Sequence, residues 1–190
     1  PFDPPRASIA VLPFANMSPD PENEYFADGI SEELLDVLSD VDGLKVASRT
    51  SSFAFKGKDV GIGEVARTLG VAHVLEGSVR KQGRRVRITA QLIDTGSDQH
   101  LWSETYDREL DDIFTVQEEI ARSIAGALSG PMGLAVGASK VEVAQATGDL
   151  QAYEAYLRGR QLFHQRGAGL VDARRLLEDA IKREPTLTPA

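Results

Sequence analysis

The chain has no cysteine, which removes disulfides, thiolate nucleophiles and cysteine metal ligands together and leaves the redox compartment open. Its three histidines, His73, His100 and His164, lie far apart and have no carboxylate at zinc-motif spacing, so no metal is expected. Positive charge is short. Lys and Arg number 21 against 29 Asp and Glu, a formal net charge of -8, which argues against nucleic acid as a partner because phosphate binding needs a cationic surface that releases counterions. No run approaches the roughly 18 apolar residues of a spanning helix. The leading PFDPPRAS lacks a basic region followed by an apolar one, and no initiator Met stands at its head, so it reads as the end of a linker in a piece of a longer protein. A cytoplasmic location is expected, with the periplasm as the alternative if a membrane segment precedes Pro1.

Reactive motifs are scarce as well. Gly57 to Gly63, GKDVGIG, lacks the Lys-Ser/Thr of a phosphate-binding loop and reads as a plain loop. No Gly-x-Ser-x-Gly element occurs. No catalytic residue, cofactor or cofactor-binding residue is expected in this chain.

What is present is pattern. Val71 to Leu110 reads as three antiparallel strands. With Gln82-Gly83 as a two-residue turn, Val79 pairs with Val86, Gly77 with Ile88 and Leu75 with Ala90 on an apolar face, while Glu76, Ser78, Arg87, Thr89 and Gln91 share the polar one. On this register His73 faces inward near Leu92 as a hydrogen-bonded core histidine. Before the hairpin, Ser8 to Phe14 (SIAVLPF) does not alternate and predicts a strand covered on both faces that stops at Pro13. Asp20 and Pro21 open a helix from about Glu24 to Ser39. Its Phe26, Ile30, Leu34 and Leu38 face the core, and Glu32, Glu33 and Asp36 fall on the wet side. Gly29 within it marks close packing or a local break. Leu44 to Phe55 predicts a second strand with an irregular Ser-rich end, and Gly61 to Leu69 a short helix stopped by Gly70. A helix capped by Asp111 or Asp112 carries Ile113, Val116, Ile120, Ile124 and Leu128.

The fold class is therefore α/β (α+β): a mixed sheet of about five strands in β-α-β-α-β-β-β-α order, plus a C-terminal α-hairpin. The divisions expected are a linker over 1–7, an α/β domain over 8–128, a Gly/Ala/Ser-rich hinge over 129–148, and a helical pair over 149–190, with helices at Leu150 to Gln165 and Leu170 to Arg183.

The five cations Arg80, Lys81, Arg84, Arg85 and Arg87 read as a solubilised hairpin tip with no interleaved aromatic to stack bases. The nearest approach to a working surface is Trp102. If Thr95 to Asp98 forms the second turn, Asp94 pairs with Gln99, Leu92 faces Leu101, and Trp102 and Tyr106 emerge beside Gln91 and Arg87 on the polar face. A loop shorter by one residue sends both aromatics inward. The first register is preferred because it keeps Glu104 out of the apolar layer. Trp102, Tyr106 and Arg87 then form a partner-binding patch.

Two resemblances add to this. Gly159, Ala173, Leu177, Ala180 and Pro185 stand at the small, large and Pro positions of a tetratricopeptide repeat, and the helical pair resembles one, with about two extra residues in its turn. SIAVLPFANMSPDPENEYFADGISEELLDVLS, VASRTSSFAFKG, LGVAHVLEGSVRKQGRRVRITAQLID and HLWSETYDREL resemble the TolB-amino-terminal-like domain of large bacterial multidomain proteins, over Ala7 to about Leu128. That resemblance implies a non-catalytic regulatory or protein-interaction module. It implies a place after a class III adenylate or guanylate cyclase domain or a winged-helix DNA-binding domain, and before tetratricopeptide repeats. The implied partner is a protein, a neighbouring domain of the same parent chain, or a second copy in a homodimer.

Overall fold

The computed structural model describes residues 3–129, 149–165 and 167–185. Its sheet has six strands: β1 (Ser8–Val11), β2 (Ala15–Asn16), β3 (Lys45–Val46), β4 (His73–Gln82), β5 (Arg85–Asp94) and β6 (Gln99–Glu109). The order is β3-β1-β4-β5-β6, with β2 also pairing β4. β1 runs parallel to both β3 and β4, and β4, β5 and β6 form an antiparallel meander, so the mixed α/β class holds. All four residues of β1 are buried, as a strand covered on both faces requires. It breaks before Pro13, and β2 resumes the pairing across Ala15 and Asn16, a two-residue strand too short to leave a pattern.

Helix α1 (Glu24–Ser39) follows a 3-10 turn at Pro21–Asn23, where the Asp20 side chain accepts from the Glu22 N–H. The strand expected over Leu44 to Phe55 is corrected. Only β3 is extended, and the chain turns into helix α2 (Arg49–Phe53). Ser48 is its cap, with Oγ accepting from the Ser51 N–H at 3.3 Å, so the serines serve a helix start and not an irregular strand end. Helix α3 (Ile62–Leu69) ends at Gly70 in the left-handed conformation. Helix α4 (Ile113–Ser129) closes over the sheet after a 3-10 turn at Leu110–Asp112. Helices α5 (Leu150–Gln165) and α6 (Leu170–Arg183) pack on each other. The hinge expected over 129–148 lies, beyond Ser129, outside the described residues.

The hairpin turn is Gly83-Arg84. Gln82 pairs with Arg85, Val79 with Ile88, Gly77 with Ala90 and Leu75 with Leu92. The pairing expected from a Gln82-Gly83 turn is thus shifted by two residues. Because strand faces have a period of two, the apolar and polar faces survive the shift intact. His73 is 1% exposed and lies opposite Asp94, its Nδ1 3.0 Å from the Ser8 carbonyl.

The core lies between this sheet face and three helices. Phe26, Ile30, Leu34 and Leu38 of α1, Ile113, Ile120 and Ile124 of α4, and Tyr153 and Leu157 of α5 join Leu75, Val79, Ile88 and Leu92 in one cluster. Among the described residues the other face is covered at its β1 and β4 end, where Val65 and Leu69 of α3 meet Ala10 and Val74. Gly29 lies where α1 and α5 touch. A Cβ there would stand 2.6 Å from Leu157 Cδ2, so the glycine marks a close approach of the two helices that a larger residue could keep only by moving Leu157.

Candidate functional site

The face that α3 leaves open carries a ladder of cross-strand rows over β4, β5 and β6: Glu76, Gln91 and Ser103; Ser78, Thr89 and Thr105; Arg80, Arg87 and Asp107. At its inner end the ladder meets a groove of about 410 Å³. The floor is Glu76, Ser78, Thr89 and Gln91. One wall is the β1–β2 turn with Leu12 and Pro13, and the other is the segment from Phe55 to Ile62. The Gly57 to Gly63 loop is thus a groove wall, with Gly57 at φ +69° and Gly61 leading into α3.

At the outer end the hairpin arginines are engaged by acids. Asp107 accepts from Arg85 Nη2 at 2.8 Å and from Arg87 Nη2 at 2.6 Å, and these two guanidiniums hold its carboxyl below the usual carboxylate range. Arg84 pairs with Asp111, and Lys81 with Glu154 of α5 at 2.8 Å. The tip is therefore a salt-bridged end of the sheet, in keeping with a solubilised turn.

The patch expected from Trp102, Tyr106 and Arg87 is not assembled. Asp94 does pair with Gln99, but Ile93 faces His100 and Leu92 faces Trp102, which leaves Leu101 as the extra residue of a β-bulge. One inserted residue reverses the parity of everything after it, so Trp102 packs against the core and Tyr106 is 4% exposed opposite Ile88. Arg87 stays on the outer face. Glu104, on the inward parity, avoids the apolar layer because β6 is the edge strand. Its side chain remains exposed and accepts from the Tyr106 hydroxyl at 2.9 Å.

A second polar assembly corrects the expectation that Glu32, Glu33 and Asp36 lie on a wet helix face, and it takes in Asp28 as well. Asp28, Glu32 and Asp36 lie four residues apart on α1, and α5 covers them. Glu32 is 2% exposed and is met by Arg49 at 2.5 Å from α2 and by Arg160 at 3.0 Å from α5, with His164 at 3.5 Å. Asp28 takes Lys56 Nζ at 2.6 Å and Gln161 Nε2 at 3.3 Å. Asp36 receives Arg160 at 3.2 Å. Next to them Glu33 accepts from the Tyr153 hydroxyl at 2.6 Å and from Gln117 of α4, joining three helices through one carboxylate. Burial raises the Glu33 pKa to about 7, against the opposing pull of those two hydrogen bonds and of Arg160. The same burial pushes the Tyr153 hydroxyl well above its ordinary value. The signal in sequence was an i, i+4 acidic row beside Gly29 together with Tyr153, Arg160 and His164 on α5. A solvated face gives no reason for a glycine at its centre.

The repeat-like positions come together between α5 and α6. Gly159 is buried, and a Cβ on it would stand 2.8 Å from Leu177 Cγ and 3.3 Å from the Ala173 carbonyl. Ala173 and Ala180 are each 1% exposed, and Pro185 follows the helix on the surface.

Among curated proteins, "Putative adenylate cyclase 3" of Rhizobium meliloti (strain 1021) is 47% identical over 188 residues. The alignment takes in 98% of this chain and 32% of that protein, so the chain spans about a third of its relative. Among solved structures, TolB from Acinetobacter baumannii matches at 19% identity and a TM-score of 0.49, over 67% of this chain and 29% of that one. Lipoprotein GNA1162 from Neisseria meningitidis matches at 20% identity and a TM-score of 0.47, over 66% and 99%. Among the described residues no helix is long and apolar enough to cross a membrane. A family model, HilA/YgeH-like transcriptional regulator, second domain, matches residues 5–123, a span that ends before α5 and so leaves the tetratricopeptide resemblance outside it. That span covers more than half of the 190 residues, and the chain belongs to the family of HilA/YgeH-like transcriptional regulator second domains.

Proposed function

We propose that this chain is a non-catalytic regulatory and protein-interaction module of a larger bacterial signalling protein, placed C-terminal to a class III adenylate cyclase-like domain in the cytoplasm. The observation that carries this reading is the 47% identity, over 98% of the chain, to a relative named as a putative adenylate cyclase and about three times as long. On this reading the sheet domain and α5 form a relay body. Helices α5 and α6 are a tetratricopeptide-like start that offers a surface to a protein partner, a neighbouring domain or a second copy. The tight Gly159–Leu177 contact supports that use of the pair. The test is turnover of ATP to cyclic AMP by the full-length parent with and without residues 8–185. The parent is expected to be active and responsive to the deletion, and the chain alone inactive. Cyclic AMP formed by the chain alone would overturn the reading.

A second reading has its own support. The family description is of a transcriptional regulator, so the upstream domain would be a DNA-binding winged helix in place of a cyclase. Sequence-specific DNA binding by the parent without cyclic nucleotide production would favour it.

A further inference from the structure

The groove on the open sheet face has a composition that a plain surface depression does not need. Its volume, about 410 Å³, falls within the roughly 300–1,000 Å³ of small-molecule sites. Glu76, Ser78 and Gln91 are half-buried on its floor, yet among the described residues none of their side chains has a hydrogen-bond or ion-pair partner. Half-buried polar groups without protein partners are ordinarily met by water or a ligand. Among the described residues the carboxylate of Glu76 on β4 has no cation beside it, whereas Asp28, Glu32 and Asp36 of α1 are met by Lys or Arg and Glu33 by Tyr153 and Gln117. Lys58, on the facing wall, likewise makes no ion pair, and its ammonium lies 5.8 Å over the Phe55 ring. The nearby Lys56 is committed to Asp28 and Glu24 and is not free for a ligand. The same groove is lined by the apolar side chains of Leu12, Phe55, Val60 and Ile62.

From this arrangement we propose that the groove binds a small zwitterion of the amino-acid class with an apolar side chain. The ammonium meets Glu76 and Gln91, the carboxylate meets Lys58, and the side chain lies against Leu12, Phe55 and Ile62. Each charge is thereby compensated by the opposite one, and apolar area is removed from water at the same time. An anion alone would face the unpaired Glu76, and a simple amine would leave Lys58 unmet. The site is separate from the α5–α6 surface, so its failure and the failure of the module reading are distinguishable.

The test is a titration of the 190-residue chain with L-phenylalanine, phenethylamine and 3-phenylpropanoate, followed through the backbone amides of residues 57–62, 76–78 and 89–91. L-Phenylalanine is expected to bind most tightly and to shift these amides. Glu76→Gln is expected to weaken phenylalanine and phenethylamine by about tenfold, and Lys58→Gln to weaken phenylalanine and phenylpropanoate by a similar factor, the size of one charge-assisted contact. Both positions face solvent in part, so thermal melts matching the parent are expected. Should a variant fail to fold, the ranking of the three compounds on the parent chain still decides. No amide shifts with any compound up to about 10 mM, far weaker than a specific site, would overturn the proposal. Shifts centred elsewhere, or a zwitterion no tighter than either half, would overturn it equally.

Discussion

Helix α1 makes two contacts of opposite chemistry. Against the sheet it presents Phe26, Ile30, Leu34 and Leu38, all fully buried among Leu75, Val79 and Ile88. Against α5 it presents Asp28, Glu32, Glu33 and Asp36, met by Lys56, Arg160, Gln161 and Tyr153. The first contact is held by removal of apolar area from water and tolerates small shifts in geometry. The second gains little net energy, since the attraction of its ion pairs is offset by desolvation, but removing one partner strands a buried charge. The dry contact therefore sets how stable the sheet layer is. The charged one sets where α5 sits.

The largest effect should come from the dry side. Ile88 is 1% exposed and lies opposite Val79 and Tyr106, so Ile88→Ala is expected to cost about 2–5 kcal/mol as a core truncation. Thr89, its neighbour on the outer face, shares a 3.1 Å hydroxyl contact with Thr105, and Thr89→Ala should cost less than about 1 kcal/mol. Denaturant melts of the two variants check this, and a reversed order would mean that the two faces of the hairpin have been interchanged.

The charged seam can be addressed by pH. Glu33 has a folded pKa of about 7 against an ordinary 4.5, raised mainly by burial. The folded protein therefore holds the proton more tightly than the unfolded chain. Its contribution to stability is fully present below about 4.5 and is lost as pH rises through about 7. Tyr153, Gln117, Arg160 and Asp36 face the same carboxylate and set how much of that loss is felt. Melting temperatures compared at the two ends of this window should converge in Glu33→Gln relative to the parent. An unchanged pH dependence would exclude Glu33 as its source.

How much of this was legible follows from the same contrast. The dry contacts leave a period in the sequence: the inner face of the hairpin was readable although the turn lies one residue further on, because that moves the pairing by two and preserves parity. Trp102 and Tyr106 were not readable, since the single extra residue at Leu101 changes parity and no residue type there announces a bulge. The acidic row of α1 has the look of a solvated face, and Gly29 within it is the one local sign that another helix packs there. The groove was hidden for another reason. It is built from Leu12, the Phe55 to Ile62 segment and the middle of β4 and β5, which are well separated in the sequence.

A more focused perturbation of the seam is Arg160→Ala. Arg160 ties α5 to both Glu32 and Asp36, while Arg49 still holds Glu32 from the other side. The expected cost is about 1.5–3 kcal/mol, the range for hydrogen bonds to charged groups. In hydrogen exchange the loss should fall on α5 amides more than on Ile88. A uniform loss across sheet and helix would mean that α5 and the sheet open as one unit.

The smallest expected difference lies within the helical pair and would divide the comparison once more. Helix α5 shares the main core through Tyr153, whose ring meets Phe26 at 6.5 Å and Phe114 at 4.8 Å. Helix α6 rests chiefly on α5, with Leu176 and Leu177 half-buried, and its Leu170, Val171 and Ile181 are 45%, 78% and 56% exposed. Local opening free energy follows buried apolar contact, so in a dilute monomer amides around Leu176 should exchange faster than those around Tyr153, and Tyr153 should approach Ile88. Both helices have ordinary hydrogen-bonded backbones, so the ordering would arise from packing and not from helix propensity. Equal protection at Leu176 and Ile88 would show that α6 belongs to the same cooperative unit as the sheet, and the hairpin would then open only with the whole fold.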